Sequence, residues 1–189
     1  MADGTLKVGT ITTSSGSGTI TLGQSGETVN AGTGVLSRLG VFESQLLHVR
    51  DEKDVTAHGG TAQAGANVRN LNTIKTNEIT GASLSSNQIT LPTGTYYINA
   101  SAPAWQVAYN HVYLYNTTDS SVIIYGYNNY VNPTDGYGRS HVHGRFTLAS
   151  QKVLELRQWM NNTKTHGLGL YSLNTEPSVY AEVEIWRTA

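Results

Sequence analysis

The stretch QITLPTGTYYI, residues 88–98, decides the fold class of this chain. Its first four residues alternate polar and apolar side chains, and Pro92-Thr93-Gly94 is a tight-turn sequence. The Tyr and Ile residues that follow the turn favour an extended strand. The stretch therefore predicts two neighbouring strands of an antiparallel sheet.

The same signals recur from residue 45 onward. Runs of β-forming residues, separated by turn residues, cover residues 45–50, 68–79, 95–102, 111–115, 122–127, 140–148, 152–159 and 179–186. The last run places apolar residues at alternate positions, expected to face inward, and Glu182 and Glu184 outward; the inward set is Val179, Ala181, Val183 and Ile185. Roughly eight strands without helical periodicity predict an all-β, antiparallel sandwich or barrel with Greek-key connections.

Composition and charge limit the function classes. The 189 residues hold no Cys, which excludes disulfides and thiolate metal sites but leaves the compartment open. Twelve Lys and Arg residues against 13 Asp and Glu residues provide no basic footprint for a nucleic-acid partner. No stretch approaches the roughly 18 apolar residues of a membrane span, and residues 1–9 lack the features of a signal peptide. We therefore expect neither membrane insertion nor Sec export.

Residues 1–44 differ from the rest, and we predict two domains, 1–44 and 45–189. Thr, Ser and Gly dominate residues 2–34, where two alternating segments predict a β-hairpin arm. Its few apolar residues cannot bury a core, so the arm is expected to become ordered only against a partner. They are Leu6, Val8, Ile11, Ile20, Leu22 and Val29. Residues 31–44 are compatible with one helical turn or an extended linker.

Four motifs resemble the C1q/TNF-like jelly-roll heads. They are LPTGTYYI at 91–98, HVYLYN at 111–116, FTL at 146–148 and VLEL at 153–156, and the likeness spans about residues 47–187. The resemblance implies a jelly-roll sandwich that assembles as a homotrimer. Six large residues are expected to anchor either the core or the subunit interface: Tyr97, Leu114, Phe146, Leu156, Trp159 and Trp186. The closing strand, AEVEIW at 181–186, departs from the eukaryotic pattern, so calcium and partner sites of those proteins are not transferred.

Other segments are similar to structural proteins of tailed phages. They are NEITGASL at 77–84, ASAPA at 100–104, IWR at 185–187 and the leader segments GTLKVGTI at 4–11 and LGQSGETV at 22–29. This resemblance implies a virion structural protein, and the short anchoring arm without a shaft repeat favours a capsid decoration or cement protein. Such a protein is assembled in the host cytoplasm, docks on the major capsid protein and lies on the virion surface. The alternative is a short tail fibre or receptor-binding protein, associated with tail proteins, that recognises a host-surface glycan. A secreted C1q-like ligand is disfavoured because the signal peptide is missing.

Candidate chemistry is sparse. His141 and His143 lie on one face of a strand, about 7 Å apart, which makes half of a metal site. No third ligand has a telling spacing, so polar or packing histidines are the favoured interpretation, and no metal or cofactor is predicted. The chain also lacks the sequence motifs of serine hydrolases, zinc proteases and phosphate-binding loops, so we expect no enzyme.

The segment 125–137 is rich in Tyr and Asn. Tyr offers a large amphipathic contact area and Asn adaptable hydrogen bonds, so the segment is a candidate recognition surface for glycan or protein. The simpler interpretation is that Asn, Gly and Asp form turns while Tyr favours strands. The candidate contact residues are Tyr125, Tyr127, Asn129, Tyr130 and Tyr137.

Overall fold

The computed structural model describes residues 45–171 and 175–188, and the predicted arm and linker lie outside these ranges. The described residues form twelve strands: β1 Gln45–Lys53, β2 Gly65–Val68, β3 Thr73–Asn77, β4 Ser83–Ser85, β5 Gln88–Leu91, β6 Gly94–Trp105, β7 Ala108–Asn116, β8 Ser121–Tyr125, β9 Asn129–Val131, β10 Tyr137–Leu148, β11 Lys152–Met160 and β12 Ser178–Arg187. Within these ranges no helix is long and apolar enough to cross a membrane.

The strands form two antiparallel sheets. Sheet I has the order β10-β6-β12-β1-β3. Sheet II has the order β4-β5-β11-β7-β8, and β2 and β9 add to it by pairing with β11 and β7. Most neighbours in a sheet are distant in sequence, as Greek-key connections require. The predicted all-β antiparallel fold is confirmed, and of the two architectures left open it is the sandwich.

Alternation along the strands produces the core between the sheets. On sheet I, Ile98, Val183 and Ile185 are fully buried, and on sheet II Leu114 and Leu156 are also fully buried. Each such side chain contributes roughly 1.5–3 kcal/mol when it leaves water. Three apolar positions of the closing strand therefore face inward as predicted.

Val179 is an exception to that prediction because it is 37% exposed. The pairing of β1 with β12 is irregular between Arg50 and Glu52, opposite this end of β12. An extra residue in one strand moves the following side chains to the other face. Tyr180 and Ala181 are consequently both buried although they are adjacent.

The predicted strand over residues 68–79 is wrong, since the chain leaves one sheet and joins the other inside it. The Arg69 N–H still donates to the Leu156 carbonyl of sheet II, at 2.9 Å, whereas the Asn72 N–H donates to the Arg50 carbonyl of sheet I, also at 2.9 Å. Two short strands, β2 and β3, therefore replace one long strand. Two other short strands, β4 and β9, lie outside the runs that predicted strands.

The segment 125–127 also bridges the two sheets. The Gly126 N–H donates to the Val112 carbonyl of sheet II at 2.8 Å, and the next N–H, that of Tyr127, donates to the His141 carbonyl of sheet I at 2.8 Å. Neighbouring side chains on this segment consequently belong to different faces of the sandwich.

Candidate functional site

Part of the outer face of sheet I is open within the described residues, since Tyr97, Asn99 and His143 are exposed there. Cross-strand pairs arrange its side chains in rows, one of which joins His143, Asn99 and Glu184. In the next row Tyr97 lies between Arg145 and Trp186, and its ring centroid is 6.3 Å from that of Trp186. This face therefore presents an aromatic pair beside polar rows.

One acidic group on this face, Glu182, is paired with basic side chains. Glu182 accepts hydrogen bonds from Arg50 Nε at 2.7 Å and from His48 Nε2 at 2.9 Å, and Arg50 Nη2 lies 2.6 Å from the same carboxylate. Burial raises the pKa of Glu182, but the bonds from Arg50 and His48 outweigh burial and hold its pKa below the usual value. In addition, the Asn99 amide donates to Glu184 Oε2 at 3.0 Å.

The five candidate contact residues of segment 125–137 do not form one site. Tyr125 and Tyr130 extend from the outer face of sheet II, paired opposite Tyr113 and Tyr109. Tyr127 lies at the sheet I edge, and Tyr137 pairs with Trp105 at one end of the sandwich. Asn129 is half-buried in β9, where its amide nitrogen has no partner among the described residues.

An aromatic face covers one end of the outer side of sheet II. We use this name for Tyr109, His111, Tyr113, Tyr125, Tyr130 and Trp159. The strands that supply these residues are β7, β8, β9 and β11. Only Tyr125 and Tyr130 were predicted as contact residues. Alternation in residues 109–113 was the sequence signal for the three β7 members, but it cannot show which side of a sheet stays open.

Each ring of the aromatic face lies close to at least one other ring of the face. The ring centroid of His111 is 5.8 Å from that of Tyr113 and 6.0 Å from those of Tyr125 and Trp159. The imidazole of His111 is stacked with the indole of Trp159, and the two ring planes are 14° from parallel. Tyr109 and Tyr130 form a second pair, 5.0 Å between centroids. Tyr109, Tyr125 and Trp159 are 63%, 66% and 37% exposed, so these members of the face are accessible within the described chain, whereas Tyr113 is 7% exposed and serves as their buried neighbour.

Little net charge borders this face. The Arg157 guanidinium lies 3.6 Å from the ring centre of Tyr115, and its Nε donates to Glu155 Oε2 at 2.7 Å, so the two charges cancel locally. Burial lowers the pKa of His111, which keeps the imidazole neutral near pH 7. The surface is consequently aromatic and close to neutral.

His141 and His143 are both exposed on the outer face of sheet I. His143 Nε2 lies 3.2 Å from the Tyr127 hydroxyl, and the two rings meet edge to face with centroids 5.2 Å apart. Among the described residues, no three His, Asp or Glu side chains are grouped closely enough to hold a metal ion. The histidine pair thus has an aromatic partner, and the described chain adds no third ligand.

The six predicted anchors separate into two groups. Leu114, Phe146 and Leu156 belong to the core between the sheets. Tyr97 and Trp159 are 40% and 37% exposed and Trp186 is half-buried, so these three lie outside the core of the chain. For them the core alternative is wrong, because each projects from an outer sheet face, and the interface alternative remains a prediction.

The predicted arm residues, from Leu6 to Val29, lie outside the described residues. Elsewhere, an open depression at one end of the sandwich is lined by Trp105, Asp135, Tyr137, Leu170 and Tyr171. These five described lining residues do not combine a serine, threonine or cysteine nucleophile with a histidine base.

Comparison with known proteins identifies the fold. No protein-family model matches the sequence, and no curated protein matches it. The structure of murine APRIL at pH 8.0 is similar, with a TM-score of 0.51 and 12% identity over 77% of this chain and 99% of that chain. The globular domain of zebrafish complement 1qA gives a TM-score of 0.50 and 12% identity over 78% and 98% of the two chains. The sandwich is therefore a C1q/TNF-like jelly roll.

Proposed function

We propose that this chain is a homotrimeric structural protein of a phage virion, a capsid decoration or cement protein without catalytic activity. Its jelly-roll head projects from the particle surface, and residues 1–44 dock it on the major capsid protein. The phage assignment is supported by the leader and strand motifs described above. The observation that carries self-association is the outer face of sheet I.

This face is suited to burial against a second copy. Glu182 already has the Arg50 guanidinium as a partner within the chain, so an interface does not leave it as an uncompensated buried charge, and Glu184 accepts a hydrogen bond from the neutral Asn99 amide. Tyr97 and Trp186 supply the aromatic area that interface centres favour. The Tyr127 and His143 pair at the sheet edge extends the same surface.

The mass of the native assembly tests self-association. We expect native mass spectrometry to show three chain masses, and the substitution Tyr97→Glu to produce monomers because it places a charge in the proposed interface. Tyr109→Glu is the matched control, since Tyr109 is an exposed tyrosine on the opposite sheet. A monomeric wild-type protein, or dissociation caused by the control alone, contradicts the proposal.

The location on the particle tests the virion role. Labelled protein imaged on intact particles is expected on capsid faces. The runner-up, a short tail fibre or receptor-binding protein, is favoured by the exposed tyrosines of segment 125–137 and predicts label only at the tail. Deletion of residues 1–44 should abolish binding to capsids and leave the trimer intact, because docking and self-association use different segments.

A further inference from the structure

We propose that the aromatic face of sheet II is a binding site for a neutral glycan. This inference is independent of the trimer and of the position on the virion, because it uses the sheet opposite to the proposed interface. It also differs from the predicted recognition segment: it retains Tyr125 and Tyr130, drops Tyr127 and Tyr137, and adds residues from β7 and β11.

Exposure of aromatic rings at this density indicates a surface with a function. Soluble proteins rarely leave contiguous apolar patches open, and single exposed aromatics need no explanation. Here the accessible rings of His111, Tyr125 and Trp159 form one connected group with the buried ring of Tyr113, and neighbouring centroids lie about 6 Å apart. A second pair, Tyr109 and Tyr130, continues the group along β7 and β9.

The side chain of Trp159 has an open flank. Its cross-strand neighbours are His111 on β7, which is stacked on the indole, and Ala66 on β2. Ala66 is exposed and carries only a methyl group, so it leaves room beside the indole that a larger residue would fill. A flat ring can therefore lie against Trp159 from the β2 side.

Aromatic faces with hydroxyl edges match the chemistry of a sugar ring. One side of a pyranose presents polarised C–H groups, which interact favourably with the negative face of an aromatic ring. The hydroxyls of Tyr125, Tyr109 and Tyr130 provide donors and acceptors at the rim for sugar hydroxyl groups. The spacing between neighbouring rings is close to the length of one sugar unit, so a chain of two or more units can stack on successive side chains.

Charge selects a neutral glycan over an anionic one. The cation at this face, Arg157, is bonded to Glu155, and its guanidinium covers Tyr115. His111 is held neutral by burial. Among the described residues of the face, no cation is therefore free to pair with a carboxylate, sulfate or phosphate of an acidic sugar.

A glycan array with neutral and acidic oligosaccharides and bacterial surface polysaccharides tests the proposal on the full chain. Wild-type protein is expected to bind a subset of neutral glycans, with little loss in higher salt. Trp159→Ala and Tyr125→Ala should weaken binding at least about tenfold, the loss of roughly one aromatic stacking contact. Ala66→Arg should weaken it too, because the new side chain fills the open flank. Tyr137→Ala, an exposed tyrosine at the end of the sandwich, is the matched control and should bind normally.

Three results overturn the proposal: no binding of wild-type protein to any neutral glycan, binding to acidic glycans only, and binding that survives both Trp159→Ala and Ala66→Arg. Circular dichroism confirms that each variant is folded, and Ala66→Arg keeps the test valid if Trp159→Ala does not fold. A fourth result, a change of assembly mass in Ala66→Arg, also overturns the proposal, because it identifies the face as a contact between copies. Failure on the array leaves the trimer measurement untouched, so the two proposals are tested separately.

Discussion

The imidazole rings of His58 and His166 are stacked, with centroids 3.6 Å apart and planes 18° from parallel. The stack joins the segment after β1 to the segment after β11. The Tyr171 N–H donates to His58 Nδ1 at 3.3 Å, which requires that nitrogen to be unprotonated. Desolvation, and then the neighbouring His166, lower the pKa of His58.

Because of this stack, we expect the folded state to lose stability in acid. The unfolded chain takes up a proton at the ordinary pKa of 6.5, whereas the folded chain takes it up only at lower pH, so stability is lost as pH falls below about 6.5. His58→Asn keeps an acceptor near the Nδ1 position without a titrating group, and it should reduce the slope of melting temperature against pH. His111, whose pKa burial also lowers, should leave a residual slope. An unchanged slope in His58→Asn contradicts the prediction.

Glu182 should stabilise the outer face of sheet I. Glu182→Gln removes the charge that Arg50 and His48 contact, and we expect a loss of about 1 kcal/mol in urea unfolding. Because the folded pKa of Glu182 is depressed, its stabilisation is present above the ordinary pKa of 4.5 and is lost as pH falls through the folded value. Glu184→Gln is the matched control. It changes a hydrogen bond with the neutral Asn99 amide, so it should lower the free energy of unfolding by a smaller amount.

Arg69 is fully buried, and its removal should be severe. Its Nη2 donates to the Leu168 carbonyl at 2.8 Å and its Nη1 to Gln158 Oε1 at 3.3 Å. Burial lowers its pKa to about 10, so it stays charged at neutral pH. Arg69→Met leaves both acceptors without a donor, and we expect a loss of about 2–4 kcal/mol in urea unfolding. Glu176→Met, at an exposed position between β11 and β12, should change stability by less than about 0.5 kcal/mol. Equal effects of the two substitutions would refute the role of Arg69.

Gly126 should tolerate no side chain. A Cβ at this position would collide with the carbonyl oxygen of His141 and lie 2.6 Å from that of Val112, and both are backbone atoms of neighbouring strands. Gly126→Ala is expected to cost at least about 2 kcal/mol, measured by denaturant unfolding, and to displace Tyr125 and Tyr127. Gly138→Ala meets side chains of Asn129 and Val131 at 3.0 and 3.1 Å, which can move, so a smaller loss is expected. If Gly126→Ala leaves the free energy of unfolding unchanged, the prediction is wrong, and the two sheets separate easily at this position.

The sequence predicted the segments that stay within one sheet. The run 95–102 became the centre of β6, and the run 152–159 became almost all of β11. Both succeed because alternation and β propensity are local properties that a long strand preserves. Where the chain crosses between sheets, as at Arg69 to Asn72 and at Gly126, the partner strand determines the structure, and local pattern cannot show it.

For the candidate sites, too, local pattern predicted the residue types, whereas the pairing of strands decided which residues come together. By itself, the sequence determined an all-β antiparallel sandwich or barrel, most of its alternating inward residues and a chain rich in Tyr, because side-chain period and composition are local properties of the chain. Only the tertiary structure decided that Tyr125 joins Trp159 and His111 on one face while Tyr127 joins His143 on another. The reason is that sheet order and register bring together strands far apart in sequence, and one change of sheet at Gly126 sends neighbouring tyrosines to different faces.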